Sequence, residues 1–265
     1  MQALALLVQN ANFKGFFTGK IYQGAAKNMC VPGLNCYSCP GAVGACPIGA
    51  LQGFLSGMRF RVPYYVIGLL LFFGAALGRA VCGFLCPFGF LQDLLHTLPS
   101  RKIGKFRADR LLRYLKYAVL LAGVVLLPIL IKLTPVFCKY VCPSGTVAGL
   151  LLASADRTVR GSIGLRFWWK AALLAGIAGL SVFLYRPFCK YVCPLGAIYA
   201  PMNKVSLLRY RVDEDKCVSC GLCEKVCKMG INPVEDANSP ECIRCGACIE
   251  TCPAKAITNS FQRKK

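Results

Sequence analysis

The residues with chemistry to offer are cysteines, and their spacing narrows what that chemistry is. Eighteen occur in 265 residues. Cys82, Cys138 and Cys189 each precede a second cysteine by four positions, at Cys86, Cys142 and Cys193, and Pro-x-Gly follows every second cysteine. Phe137 to Pro143 and Phe188 to Pro194 are the same seven residues. A variant near the N-terminus has Cys36 and Cys39, then Cys46-Pro47-Ile48-Gly49. Cys30 stands outside these motifs, and a packed spare thiol is the alternative reading for it. Soft thiolates at such spacing are the usual ligands of iron–sulfur clusters. A disulfide framework suits small secreted domains, a context absent here.

The flanking residues fit the same purpose. Proline has no N–H and a fixed φ, so it suits the first position of a helix. The glycine after it permits close backbone approach. A helix N-terminus turned toward an anionic cluster offers N–H groups and a positive dipole end. Lys139 and Lys190, inside two of the motifs, are expected to place positive charge beside the thiolates and to favour the reduced cluster, with a snorkelling anchor as the plainer role for each.

The most specific signal is C-terminal. Cys217, Cys220, Cys223 and Cys227 are repeated as Cys242, Cys245, Cys248 and Cys252, followed by Pro253. This is the spacing of bacterial two-cluster ferredoxins, in which the fourth cysteine of each run serves the other cluster. One cluster is therefore expected on Cys217, Cys220, Cys223 and Cys252, and a second on Cys242, Cys245, Cys248 and Cys227. Lys228 stands where the first run would carry proline. Ten cysteines remain upstream, and two further [4Fe-4S] clusters would use eight of them, with the pairing open. Zinc on four thiolates is the rival metal.

Something must position these thiols, and the composition says it is a membrane. The chain is 56% hydrophobic with formal charge +21, too apolar for an ordinary soluble domain. Such a charge can mean nucleic-acid binding. Here the basic groups flank apolar runs, so a positive-inside pattern is expected and no nucleic-acid partner. Long apolar stretches cover 62–78, 117–131 and 171–185, with Arg79, Lys116, Lys132, Lys170 and Arg186 at their ends expected to snorkel. A short helix is expected from Ala50 to Gly57, ending in Arg59 and Arg61.

Shorter apolar runs, 90–98, 146–153 and 197–202, follow the cysteine motifs. Basic segments then follow: Arg101, Lys102, Lys105, Arg107, Arg110 and Arg113; Arg157, Arg160 and Arg166; Lys204, Arg209 and Arg211. To keep all three on one face, each long helix should run outward, turn at its cysteines and send a short segment back. Twelve helical residues rise only about 18 Å against a hydrocarbon core of about 30 Å. The cysteine turns should then lie within the bilayer's depth, buried in protein.

The expected fold is mainly α. It is a multi-pass membrane protein of repeated helix–Cys turn–short helix hairpins over 30–208, with a C-terminal α+β two-cluster ferredoxin-like domain over 209–258. Residues 1–29 read as an interfacial segment or a docked tail, and 259–265 as a basic tail. No signal peptide is expected, since residues 1–8 lack a basic leader. His96 is the only histidine, which rules out a bis-histidine haem and any Ser/His/Asp set without it, and it reads as structural. Asp213, Glu214 and Asp215 read as a solvated face. No phosphate-binding glycine loop and no acid–base pair are legible.

A membrane part with Cys-x-x-x-Cys-Pro motifs, followed by a two-cluster ferredoxin module, resembles the NapH/NosR-type membrane polyferredoxins. The stretch Pro32 to Pro40 and Cys46 to Ala50 resembles a subgroup of four-iron membrane proteins in that group. The resemblance covers most of 30–258. It implies electron transfer at the cytoplasmic membrane, with a flavin-binding or reductase protein on the outer side supplied by another chain. A cytoplasmic donor such as a ferredoxin or flavoprotein would reduce a C-terminal module lying on the cytoplasmic side. Three Cys-x-x-x-Cys-Pro units, rather than two, prevent a wholesale transfer of ligand assignments. A quinol dehydrogenase subunit is the alternative, as is metal handling or cofactor maturation. The chain is expected to be an electron-transfer subunit rather than a stand-alone enzyme.

Overall fold

The computed structural model describes residues 1–57, 63–104, 108–132, 134–161 and 163–261. Arg59, Arg61, Lys105, Arg107 and the last four residues of the basic tail lie outside them.

The described chain is mainly helical. Helices α1 (Gln2–Gln9) and α2 (Phe13–Thr18) precede a loop that carries Cys30, Cys36 and Cys39. Cys46 caps α3 (Pro47–Leu55). A three-part unit then occurs three times. The first is α4 (Tyr64–Leu77), α5 (Ala80–Phe84) and α6 (Pro87–His96). The second is α7 (Asp109–Leu130), α8 (Val136–Tyr140) and α9 (Pro143–Ala155). After α10 (Arg157–Gly161), the third is α11 (Leu165–Phe183), α12 (Pro187–Tyr191) and α13 (Pro194–Met202).

In each unit a longer apolar helix leads to a one-turn helix that holds the first cysteine. The second cysteine then starts the short helix. Cys46, Cys86, Cys142 and Cys193 all occupy the N-cap in extended conformation, with proline at the first helical position. The cause is local: proline pushes the residue before it out of the helical region and is itself preset for a helix start.

α7 and α11 are long and apolar enough to cross a membrane, and α4 and α9 are apolar but shorter. The C-terminal module holds β1 (Tyr210–Val212), α14 (Leu222–Val226), α15 (Ala247–Thr251) and β2 (Ile257–Asn259). β1 and β2 pair antiparallel, Tyr210 opposite Asn259 and Val212 opposite Ile257.

The packing is between repeats. α6 and α9 both lie on α11, while α13 lies on α4 and α7. α1 docks on α6, where Gln2 Nε2 donates to Asp93 Oδ2 at 2.9 Å and Gln9 Nε2 to Leu85 O at 2.7 Å.

Helix direction also differs from expectation. α4 ends at the C-terminal module, where Arg244 Nη1 donates to Leu77 O at 3.0 Å. α11 ends there too, with Lys228 of the module 5.5 Å from the Tyr185 ring centroid. α7 instead begins there, where Arg113 Nη2 donates to Met229 O at 3.0 Å. The start of α11 lies at the other end, where Lys170 Nζ donates to Cys138 O at 3.2 Å. The long helices therefore alternate rather than all running outward, and the second and third basic segments part company. Loop charge is a statistical guide to orientation, whereas apolar helix faces and the module's contacts act on each helix directly.

Three of the expected snorkelling cations are not at a surface. Arg79, Lys116 and Arg186 are fully buried. Each has a carboxylate partner: Glu241 for Arg79 and Lys116, Asp93 for Arg186. A buried cation is tolerated when it is paired and hydrogen-bonded. Lys132 is exposed and Lys170 half-buried.

Candidate metal centres

The upstream thiols gather into two sets of four. Cys82 of α5, Cys86 at the start of α6, Cys189 of α12 and Cys193 at the start of α13 are all buried and act on one another electrostatically. Gln92 Nε2 donates to Cys189 Sγ at 3.0 Å, and the Gly196 amide to Cys193 Sγ at 3.4 Å. We call this the proximal set, since it adjoins the C-terminal module. The distal set is Cys36, Cys46, Cys138 and Cys142, again mutually coupled through charge. A Cβ added at Gly49 would lie 4.0 Å from Cys138 Sγ, and one at Gly145 3.8 Å from Cys36 Sγ. In the proximal set the motif glycines are tighter: a Cβ at Gly89 or Gly196 would stand 3.1 Å from the carbonyl of Cys82 or Cys189.

Cys30 lies outside both sets, and Cys39 adjoins the distal set only through Cys36, on whose thiol its charge acts. Cys30 is buried and bridges to Ala45 through backbone. Cys39 Sγ sits 3.7 Å from Asn10 Oδ1.

In the module, one cavity is lined by Cys217, Cys220, Cys223 and Cys252 and another by Cys227, Cys242, Cys245 and Cys248. This is the crossed arrangement expected from the spacing. The two loops repeat in backbone as well. Ser219 and Gly221 have φ of 51° and 70°, and Arg244 and Gly246 have 55° and 88°. Left-handed residues at both places curl the loop's amides inward, which suits an anion. Burial pushes the Cys242 thiol up to about 11 and the Cys248 thiol up to about 12. Metal must therefore displace protons from them at neutral pH.

Two tyrosines link three of the sets. Tyr185 lines the Cys227 cavity, carries Arg186 5.6 Å from its ring centroid and lies in the field of Cys245. Arg186 Nη1 donates to Cys82 O at 2.6 Å. Tyr199, fully buried, lies in the field of Cys82 and Cys86 of the proximal set and of Cys46 of the distal set.

Lys190 and Lys139 face elsewhere. Lys190 Nζ pairs with Asp109 at 2.6 Å, and Lys139 Nζ lies 5.6 Å from the Tyr140 ring centroid. Cations whose charge acts on the upstream thiols include Arg79 and Arg186 at the proximal set and Lys170 and Lys27 at the distal set, and Arg244 acts on Cys242 in the module. A signal for the arginines was present: Arg79 and Arg186 each stand three residues before the first cysteine of their unit, where the second unit has Pro135. Arg186 also has a left-handed φ of 47° just before Pro187. Such strain in a non-glycine residue persists where surrounding contacts hold it. Its guanidinium does so, with Nε 2.6 Å from Asp93 Oδ1 and Nη2 on Asp93 Oδ2. His96 is structural, its Nδ1 3.2 Å from Ser181 O.

The residues fit an iron–sulfur group. All eighteen cysteines are free thiols. Among the described residues no three His, Cys, Asp or Glu side chains converge as tightly as one metal ion requires. A cubane takes each thiolate at a separate iron, so four thiols to a set match its ligand number. Two buried donors, Arg79 Nε and Arg244 Nε, have no acceptor among the described residues, and both belong to arginines in the field of these thiols.

Known proteins share these cysteine-bearing regions. Residues 44–65, 62–105, 117–158 and 165–212 match one 4Fe-4S binding domain family, and 210–231 and 238–258 match a second of the same description. An uncharacterised protein of Methanocaldococcus jannaschii is 31% identical over 80% of this chain and 77% of its own length. A putative electron transport protein of Escherichia coli is 27% identical, over 78% of this chain and 57% of its own length. The regulatory protein NosR of Pseudomonas aeruginosa is 31% identical over 57% of this chain and 20% of its own length. No solved structure matches.

Proposed function

Because the chain belongs to the 4Fe-4S binding domain family and is of the NapH/NosR polyferredoxin type, we propose that it is a membrane-integral electron-transfer protein. In this reading a cytoplasmic ferredoxin or flavoprotein exchanges electrons with the C-terminal module. An acceptor in the membrane or on its outer side, such as a flavin-binding or reductase protein, engages the distal end. The E. coli relative's description as an electron transport protein supports this. The bound clusters supply one-electron redox chemistry. The chain supplies spacing, burial and charge.

The observation that carries the reading is the presence of four four-thiol sets, three of them linked through Tyr185 and Tyr199. Alternating helices give the sets different depths, with the proximal set near the module and the distal set at the far end of α7. Membrane insertion is supported by α7 and α11, whose apolar windows are only 17% and 6% buried. A core helix of a soluble protein would hide far more of such a surface. Trp168 and Trp169, exposed at the start of α11, suit an interfacial aromatic belt. With the first basic segment and the module on one side, that side is the cytoplasmic one by the positive-inside tendency.

A second reading rests on one cavity. It is largely apolar, opens beside Cys36 and Cys39, and is lined by Leu34, Phe88, Leu91 and Leu151 with Asn35 and Ser144 as polar groups. Apolar walls with a few placed polar groups suit a small lipophilic ligand, so a quinol at the distal set is the alternative electron partner.

The test is anaerobic iron and sulfide analysis with redox-titrated EPR on the purified protein. About sixteen iron per chain is expected from four Cys₄ sets. About eight would leave the C-terminal pair alone and defeat the transmembrane path. Reduction of the clusters by added quinol, with none by a reduced ferredoxin, would favour the second reading.

A further inference from the structure

Two buried arginines cross the junction between the helical part and the module, from opposite sides. Arg79, just after α4, reaches into the module. Its Nη1 donates to Pro240 O and Glu241 Oε2, both at 2.8 Å, and its Nη2 to Cys189 O at 3.2 Å. Arg244 comes from the module loop between Cys242 and Cys245 and reaches the other way. Its Nη1 donates to Leu77 O at 3.0 Å and Ser206 Oγ at 2.7 Å, and its Nη2 to Asn203 O at 2.7 Å. Their exposures are 0% and 1%.

Each arginine thus has its two terminal nitrogens committed to the junction, and neither Nε–H meets a nitrogen or oxygen acceptor among the described residues; the Arg79 guanidinium also engages the Cys82 thiol. A buried donor left unpaired is costly, on the order of 1–3 kcal/mol. A fold keeps two of them at equivalent places when something other than its own atoms accepts. Arg79 shares its surroundings with the Cys82 and Cys189 thiols, and Arg244 with the Cys242 thiol.

We propose that Arg79 and Arg244 are a matched pair of tuning and positioning residues. Arg79 supplies its free Nε–H to the iron–sulfur group held by Cys82, Cys86, Cys189 and Cys193. Arg244 does the same for the group held by Cys227, Cys242, Cys245 and Cys248, and the Nη contacts fix the separation of the two. The proposal rests on the reading of these sets as [4Fe-4S] sites. Reduction adds one negative charge to such a group, and a nearby cation with a donated hydrogen bond stabilises that form. Both potentials are raised together, so the step between the two centres stays small. Lysine is a poor substitute, since it has no planar fork that can bridge and donate at once.

The experiment is EPR-monitored redox titration of the full-length protein, with iron content measured on the same samples. Arg79→Gln should move one signal to lower potential, by at least tenfold in oxidised-to-reduced ratio at the wild-type midpoint (about 59 mV for one electron), and leave the others nearly still. Arg244→Gln should move a different signal in the same direction. Arg79→Lys should recover part of the shift. Arg79→Gln leaves the Glu241 carboxylate to Lys116 alone, so Arg79→Gln with Glu241→Gln and Lys116→Met removes the ion group as a unit, and the shift should persist there. Full iron with unmoved potentials would overturn the proposal, as would loss of the affected signal together with its iron, which would make the arginines structural. A wild-type protein with only about eight iron would instead remove the reading beneath it.

Discussion

The C-terminal module and the helical part solve one problem in two ways. The module draws eight thiols from the 36 residues between Cys217 and Cys252. Its two loops share their spacing and their left-handed turns, so each loop carries most of a ligand set by itself. The helical part draws eight thiols from residues 36 to 193, two from each of four places. No single turn there holds a set. The first and third units meet to make the proximal set, and the second unit meets the N-terminal loop to make the distal one. Short-range ligation can be built before the fold closes, whereas long-range ligation exists only once the helices have packed.

That contrast can be broken most severely at Cys193. Cys193→Ser should remove about four iron from about sixteen and stop electrons from the module reaching the distal set. Stopped-flow reduction followed by freeze-quench EPR would read it, and undiminished reduction of the distal signal would refute the order of sets. Pairing comes next. Cys82→Ser and Cys189→Ser should alter the same EPR signal, and Cys46→Ser and Cys138→Ser a different one. If Cys82 instead shares a signal with Cys138, the units pair in sequence order and the packing described here is wrong.

The junction gives a smaller effect. Burial disfavours the Glu241 charge, but Arg79 and Lys116 outweigh it and hold the carboxyl below its usual range. Glu241→Gln leaves two buried cations short of a partner, at a cost of about 3 kcal/mol. Thermal unfolding in detergent should show it, together with faster proteolysis between α13 and β1. An unchanged melting temperature would mean the module docks by other contacts. The smallest effects belong to the two spare thiols. Cys30→Ser and Cys39→Ser should keep full iron content, and a loss of about four iron from either would redraw the distal set.

Much of the site was legible because its causes are local. Pro47, Pro87, Pro143 and Pro194 fix where four helices begin, whatever surrounds them. The ferredoxin spacing likewise announced its crossed sets. The reading went astray where the cause was remote. Lys139 and Lys190 sit within a residue of a cysteine, yet helix geometry turns Lys190 to Asp109 and Lys139 to Tyr140. Arg79 and Arg186 looked like anchors at the ends of apolar runs and are buried ion-pair partners instead. Charge counting favours three parallel long helices, whereas Arg113 at the start of α7 meets the module and Lys170 at the start of α11 meets Cys138 at the opposite end.

The amino-acid sequence alone determined the inventory of thiols, the places where helices start, and the three closely spaced thiols of each module loop, since neighbouring residues along the chain decide all of these. Only the tertiary structure decided which distant thiols meet, which way each long helix runs, and which cations reach the sulfurs. Those depend on the long helix against which each short helix buries its apolar face, and no local run of residues encodes that choice.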